Sequence, residues 1–205
     1  VANGTYNETV VINAITGASA VNRVRFVGAS GDSSKVILTS FASTTNAQNA
    51  TVQLNSASYI TFNKITIRKT FPSTPTTTYY GASCVAFIGT ASFDSISNCQ
   101  IRGVYDLTYL GNSPTGYYNG NIQAFSTSSV ASNVVYNNLI KYGAIGIQYY
   151  GSTNGNASNI IANNIIDSAV YYGMYLQNFN NLTITKNNVK MGYPVYPAAS
   201  SYTTY

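Results

Sequence analysis

The chain has 205 residues, a length that suits one domain, and only 7% of them are charged, with ten basic and five acidic residues. The basic residues form no run, which argues against a nucleic-acid-binding arm. There is no His and there are only two Cys, too few to fill a four-ligand zinc site. No segment is apolar for long enough to span a membrane. We expect one domain over residues 1–205, with no metal, cofactor, nucleic-acid partner or membrane span.

The first quarter of the chain carries apolar residues two positions apart, separated by turn residues. These pairs are Val10 and Ile12, Val24 and Phe26, Val36 and Leu38, and Val52 and Leu54. A period of two predicts short half-buried β-strands. No stretch has an amphipathic helical period of useful length, so the chain is predicted to be all-β.

Further along, a short apolar phrase with an Asn–Asn pair recurs. The pairs begin at Asn137, Asn163 and Asn187, so the first Asn returns after 26 residues (163 − 137) and then 24 (187 − 163). A period in this range, built of β-type runs, is typical of a solenoid whose coils stack. An Asn at a bend tolerates left-handed backbone angles, and its amide can bond to the Asn of the next coil.

Extending the same frame upstream predicts one ladder and two apolar columns. The predicted ladder is Asn63, Cys99, Asn137, Asn163 and Asn187. The predicted buried columns are Ile60, Ile96, Val134, Ile160 and Ile184, and Ile65, Ile101, Leu139, Ile165 and Val189. We predict about six coils of parallel strands, with loops inserted after residues 69 and 103, over Phe71–Tyr80 and Tyr105–Asn121.

Two cysteines, Cys84 and Cys99, lie fifteen residues apart (99 − 84). Their spacing permits a disulfide but does not establish one. A place for Cys99 in the ladder favours a buried free thiol.

The opening phrase Gly4–Ile12 and the Asn–Asn phrases resemble the right-handed parallel β-helix repeats of the pectate-lyase-like superfamily. The resemblance covers nearly the whole chain and implies a right-handed parallel β-helix. The low-charge, Asn-, Thr- and Tyr-rich style also resembles β-helix regions of secreted Bacteroidota proteins, often exported by the type 9 route. This implies an extracellular bacterial segment whose partners include other domains of a longer polypeptide. Asp94–Ile96 and Asp167–Ala169 resemble short O-glycosylation sequences, although we interpret them as ordinary turn residues.

Enzymes of that superfamily, as the resemblance implies, need clustered carboxylates beside a basic residue. The carboxylates here are Glu8, Asp32, Asp94, Asp106 and Asp167. In the repeat frame Asp94 and Asp167 lie on different parts of the coil and in different coils, so they cannot converge on a calcium ion or a sugar. Arg102 and Lys190 share one repeat position, and Lys141 is followed by Tyr142; we interpret these cations as solvated surface groups. No catalytic residue is predicted.

Tyrosine is abundant, with 19 residues, and adjacent pairs occur at Tyr149-Tyr150 and Tyr171-Tyr172. Neighbours in a strand face opposite ways, so one ring of each pair can be exposed and stack on a sugar. Tyr149, Tyr150, Tyr171 and Tyr172 are therefore the predicted carbohydrate-binding residues. The predicted function is a non-catalytic surface scaffold or adhesin segment that binds a polysaccharide or cell-surface glycan. The alternative is a polysaccharide lyase or other polysaccharide-active domain whose catalytic residues lie largely outside this segment.

Overall fold

The structure is a computed structural model that describes residues 1–44, 50–73, 82–105, 120–125, 127–150 and 158–192. In this part of the chain, nineteen strands and one 3-10 helix, Ser33–Lys35, follow one another. The strands form three wholly parallel sheets of seven, six and six strands. Strands visit the sheets in the fixed order 1, 2, 3, and each strand pairs with its counterpart from the coil before and the coil after.

The strand bounds are as follows. Sheet 1 contains β1 Gly4–Asn7, β4 Val36–Phe41, β7 Thr66–Thr70, β10 Gln100–Arg102, β13 Leu139–Lys141, β16 Ile165–Ala169 and β19 Asn188–Met191. Sheet 2 contains β2 Val10–Asn13, β5 Ala50–Asn55, β8 Ser83–Ile88, β11 Gly120–Ala124, β14 Ile145–Tyr150 and β17 Tyr172–Gln177. Sheet 3 contains β3 Val24–Val27, β6 Ile60–Asn63, β9 Ser95–Ser97, β12 Val134–Tyr136, β15 Ile160–Ala162 and β18 Thr183–Thr185.

This order makes six complete turns and a seventh strand in sheet 1, which is a right-handed parallel β-helix. The prediction of an all-β solenoid of about six coils is confirmed. The two longest connections between successive described strands follow β7 and β10, where inserted loops were predicted. Residues 74–81 and 106–119 of those inserts lie outside the described residues. Gly120 and Asn121, assigned to the second insert, belong instead to β11.

The core is a column of apolar side chains that runs through the coils. Every strand turns alternate residues inward, and the same inward position stays apolar from coil to coil. Its fully buried members include Ile67, Ile101, Ile140 and Ile166 in sheet 1, Val52, Val85, Ile122 and Ile147 in sheet 2, and Phe62, Ile96, Val135 and Ile161 in sheet 3. Burial of each such side chain contributes about 1.5–3 kcal/mol relative to its exposure.

The predicted ladder frame is wrong by one residue at three of its five positions. The residues that share the bend between sheets 3 and 1, all with positive φ, are Lys64, Asn98, Asn137, Asn163 and Lys186. Asn137 and Asn163 were placed correctly, whereas Asn63, Cys99 and Asn187 each lie one residue away from this position. The residues that follow the bend, Ile65, Cys99, Asn138, Asn164 and Asn187, make the inward-facing row.

A separate error affects the two predicted buried columns in the coil of Asn163, where doublets of apolar residues fit either phase of a strand. Ile160-Ile161 and Ile165-Ile166 are both such doublets. A slip of one residue exchanges the inward and outward faces. Ile160 and Ile165, predicted to be buried, are 38% and 46% exposed, and their neighbours Ile161 and Ile166 hold the core positions.

Inside the bend, Asn138, Asn164 and Asn187 form a hydrogen-bonded ladder. Asn164 Oδ1 accepts from Asn138 N at 3.0 Å, and Asn187 Oδ1 accepts from Asn164 N at 2.9 Å. The amide nitrogens donate to backbone carbonyls of the preceding coil, such as Asn164 Nδ2 to Val135 O at 2.9 Å. Amide bonding between coils was predicted, and the interior ladder is made by the second Asn of the first two pairs and by Asn187, the first Asn of the third pair. These amides satisfy buried backbone groups in the coils that carry them, as a dry interior requires.

Candidate functional site

The outer face of sheet 1 carries a row of charged side chains in register. Arg68 pairs with Arg102, Arg102 with Lys141, Lys141 with Asp167, and Asp167 with Lys190. We call the four cations Arg68, Arg102, Lys141 and Lys190 the basic row. It holds four of the ten basic residues of the chain on one column of one sheet.

The strand pattern explains why these side chains face outward. Each cation directly follows an inward-facing apolar residue, as Arg68 follows Ile67 and Lys141 follows Ile140. Successive residues of a strand face opposite sides, and successive strands lie roughly 4.8 Å apart. The shared position predicted for Arg102 and Lys190 is therefore confirmed, with three strand steps between them.

One carboxylate interrupts the row. Lys141 Nζ lies 3.1 Å from Asp167 Oδ2, and both side chains are about one-third exposed or less, at 28% and 32%. The hydrogen bond from Lys141 is the largest cause that lowers the pKa of the Asp167 carboxyl, with Lys190 contributing a smaller attraction. Asp167 offsets one positive charge, so the row and its carboxylate together carry three net positive charges.

The two arginines are held by neighbouring polar side chains. Arg68 Nε donates to Thr39 Oγ1 at 3.3 Å, and Arg102 Nη2 donates to Gln100 Oε1. Arg102 Nε is buried and has no hydrogen-bond partner. Such contacts orient the guanidinium groups along the sheet, and they leave part of each fork available to an anion.

The tyrosines predicted to form a sugar-binding strip lie elsewhere. Tyr149 is fully buried, with its ring 5.7 Å from that of Phe87 and 5.8 Å from that of Phe179. It lies two residues after the inward-facing Ile147 in β14, and therefore on the same face of the strand, which is why its ring enters the core.

Tyr171 is also buried, in a cluster with Ala144 and Val170. Tyr149 and Tyr171 therefore present no ring to a surface ligand, which corrects that part of the prediction. Tyr172 is half-buried beside Tyr175. The side chain of Tyr150 lies outside the described residues, so Tyr150 and Tyr172 stay predictions.

An aromatic pair that sequence reasoning missed lies on the bend between sheets 2 and 3. Tyr59 and Phe93 occupy successive coils with left-handed φ, and their rings stack at 4.9 Å. The Arg23 guanidinium lies 5.5 Å from the centroid of Tyr59, and its Nη1 donates to Phe93 O at 2.9 Å. Each aromatic residue directly precedes the inward position of its coil, a signal that becomes visible only once the register is known.

The described carboxylates do not converge. Asp94 is buried just before β9, Asp167 lies on β16, and Asp32 caps the 3-10 helix by accepting from Ser34 N at 2.8 Å. Asp106 lies outside the described residues. Within the described ranges, no three His, Cys, Asp or Glu side chains come close enough together to hold a metal ion.

Both cysteines are free buried thiols, which settles the two alternatives left open by their spacing. Burial raises the pKa of each thiol to about 12. Cys84 Sγ donates to Arg102 O and Cys99 Sγ to Ser97 O, each at 3.2 Å. Because a neutral thiol is a poor nucleophile and a poor ligand, neither residue is suited to chemistry.

No protein-family profile, curated protein or solved structure matches this chain. The fold is therefore assigned from the strand register alone. Evidence for the function of the protein comes from the side chains on its surface. Among the residues that the structure describes, no helix is long and apolar enough to cross a membrane. The basic row is the surface feature with the most specific chemistry in that part of the chain.

Proposed function

We propose that the chain is a non-catalytic extracellular scaffold or adhesin segment that binds an acidic glycan along the basic row. The observation that carries the proposal is the register of Arg68, Arg102, Lys141 and Lys190 on one outward column. A linear polyanion lying across the strands would meet a charged position at nearly every strand step of roughly 4.8 Å. The guanidinium groups suit carboxylate or sulfate, which they bind through two parallel N–H donors.

The remaining surface supports binding rather than turnover. The described carboxylates are dispersed, and the chain has no His, the usual general base near neutral pH. The in-register coils support the scaffold role, because they hold the cations of the row at fixed spacing. The resemblance of the low-charge, Asn-, Thr- and Tyr-rich style to β-helix regions of secreted Bacteroidota proteins supports an extracellular bacterial location.

The test compares two double variants with equal net charge. Lys141→Gln/Lys190→Gln removes two members of the row, and Lys35→Gln/Lys64→Gln removes two exposed lysines that lie off it. Binding of the complete protein to alginate, de-esterified pectin and chondroitin sulfate is measured by calorimetry, with neutral dextran as a reference. Exposed ion pairs contribute about 0.2–1 kcal/mol each, so we expect the row variant to bind roughly 2–30-fold more weakly. The off-row variant should bind as the wild type does.

Two results would contradict the proposal. Equal losses in both double variants would mean that binding follows net charge and not the row. Release of unsaturated, ultraviolet-absorbing product from any of the acidic polymers would replace the scaffold with the lyase alternative. Binding through the row should also weaken as salt is raised, because exposed charges are screened over about 10 Å at 0.1 M salt. The affinity of a Tyr172→Ala variant for the same polymers tests separately whether the Tyr172 ring contacts the sugar.

A further inference from the structure

A second interior ladder crosses the bend between sheets 2 and 3. Asn133 Oδ1 accepts from Asp94 N at 2.8 Å, and Asn159 Oδ1 accepts from Asn133 N at 3.0 Å. The amide nitrogens donate to carbonyls of the preceding coil, Asn133 Nδ2 to Ala91 O and Asn159 Nδ2 to Val130 O, both at 3.0 Å. Each rung therefore uses one acceptor and one donor.

Asp94 is the first side chain of this ladder, and it is the only acid in it. Its Oδ1 accepts from Ile60 N at 2.7 Å, as the amide oxygens of the later rungs accept from the coil before. Its Oδ2 stands where those rungs carry an Nδ2 donor, and it is buried without a hydrogen-bond partner.

The register identifies the group that the missing donor would serve. The bridges Ser58–Ser92 and Ser92–Ala131 place the preceding residues Ala57, Ala91 and Val130 at one position of successive coils. Ala91 O and Val130 O accept from the two asparagines, so Ala57 O is the corresponding acceptor for position 94. Ala57 O already accepts from Ser92 N at 3.1 Å, and a carbonyl oxygen has a second lone pair for another donor.

The ionisation state of Asp94 decides whether this rung closes. A carboxylate would turn a second acceptor toward a carbonyl oxygen inside a dry core, which is costly. A neutral carboxylic acid has an O–H that can donate to Ala57 O, just as the amides do in the next two coils. Geometry and desolvation therefore both favour the protonated acid.

The groups that face Asp94 do not reverse this preference. From the first coil, Arg23 attracts the carboxylate, but its guanidinium is engaged with Phe93 O and the Tyr59 ring. From β14, the buried Tyr149 hydroxyl interacts with Asp94 and lacks a hydrogen-bond partner. Ile60 and Asn133 present neutral groups. Burial is the largest effect and raises the pKa of Asp94 to about 7, against smaller lowering effects from Ile60 N and Arg23.

We propose that Asp94 is a proton-carrying rung: the folded protein holds its carboxyl group neutral, with the proton donated to Ala57 O, and loss of that proton weakens the bend between sheets 2 and 3. The sign follows from proton linkage. The folded state binds this proton more tightly than the unfolded chain does, so stability is highest below the unfolded pKa near 3.8 and falls as the pH rises to about 7. The chain has no His, so few other groups titrate in this window.

The test measures the unfolding equilibrium of the complete chain between pH 4 and 8, for the wild type and Asp94→Asn. The asparagine supplies a permanent donor of the same shape. The wild-type folding constant should fall by up to about a thousandfold over this range, since about three pKa units separate the two states. Asp94→Asn should remove most of that fall. Asp167→Asn is the matched control, because the pKa of this partly exposed carboxyl is lowered and its effect is confined to pH below about 4.

A direct titration keeps the proposal testable if Asp94→Asn fails to fold. Carbon NMR of labelled aspartate in the wild-type protein should show one carboxyl that titrates near pH 7, apart from the others. If every aspartate carboxyl titrates at or below pH 4.5, Asp94 is ionised in the folded protein and the proposal is overturned. An unchanged pH dependence in a folded Asp94→Asn protein overturns it equally.

Discussion

The Asn164 rung offers the sharpest test of how the coils are held together. Asn164 is fully buried, and its Oδ1 accepts from Asn138 N and Asn138 Nδ2, both at 3.0 Å. Its Nδ2 donates to Val135 O and to Asn187 Oδ1, both at 2.9 Å. Replacing it with alanine removes all four hydrogen bonds and adds no new partner.

The expected cost follows from the groups left behind. Asn138 N and Val135 O are interior backbone groups, and each buried group left unsatisfied costs about 1–3 kcal/mol. The two side-chain amides of the neighbouring rungs lose one bond each and can relax. We expect Asn164→Ala to lower the free energy of unfolding by about 2–6 kcal/mol, against a total stability of about 5–15 kcal/mol for an ordinary domain.

The matched control is Asn163→Gly, one residue earlier. Asn163 lies on the outside of the bend with φ of 56°, a conformation that glycine adopts without strain. Its cost should stay within a few tenths of a kcal/mol. Urea unfolding followed by tyrosine fluorescence gives both values. A loss below about 1 kcal/mol in Asn164→Ala, or equal losses in the two variants, would refute the view that the ladder satisfies the core.

Four further substitutions test three features: the strand register, the close backbone packing and the buried amine of Lys69. Ile166→Thr should lower the free energy of unfolding by about 2–4 kcal/mol, because Ile166 is buried. Ile165→Thr changes the exposed neighbour and should stay within about 0.5 kcal/mol of the wild type. If urea unfolding gives the opposite order, the strand is out of register. Gly146→Ala puts a Cβ 2.5 Å from Gly173 O, so it should lower the thermal midpoint, and an unchanged midpoint would count against this backbone approach. Burial lowers the pKa of Lys69 to about 8, so stability contributed by its neutral form grows as the pH rises from about 8 toward 10.5. Lys69→Met should lack that increment when the two unfolding curves are compared, and parallel curves would contradict it.

Much of the fold could be predicted from the sequence, because the coil repeats the same physical problem at every turn. The Asn–Asn pairs marked the bend correctly at Asn137 and Asn163, and the apolar doublets marked the strands. The phase within each doublet could not be predicted, since either residue of Ile160-Ile161 could face the core. Only the neighbouring coils decide which of the two residues faces inward.

The candidate site was predictable only in part, and for the same reason. Arg102 and Lys190 were assigned to one repeat position because both lie three residues after a frame residue, and their shared column is observed. Recognising the full basic row requires knowing which residues pair across coils of unequal length. The sequence alone does not show this pairing. Tyr149 was predicted to bind sugar because one ring of an adjacent pair on a strand can be exposed, yet the inward phase of β14 places this ring in the core.

The Asn138–Asn164–Asn187 ladder also means that a whole coil could be removed without changing how the remaining coils pair. Each rung bonds only to groups of the coil before and the coil after, so the ladder has no fixed length. Removing residues 139–164 would delete 26 residues (164 − 138) and bring Asn138 directly against Asn187, with strands of the same sheets again in contact. A deletion that is not a whole coil would break every later pairing. Rods of this kind are therefore expected to vary in length among related chains by complete turns, with the rungs as the points of exchange.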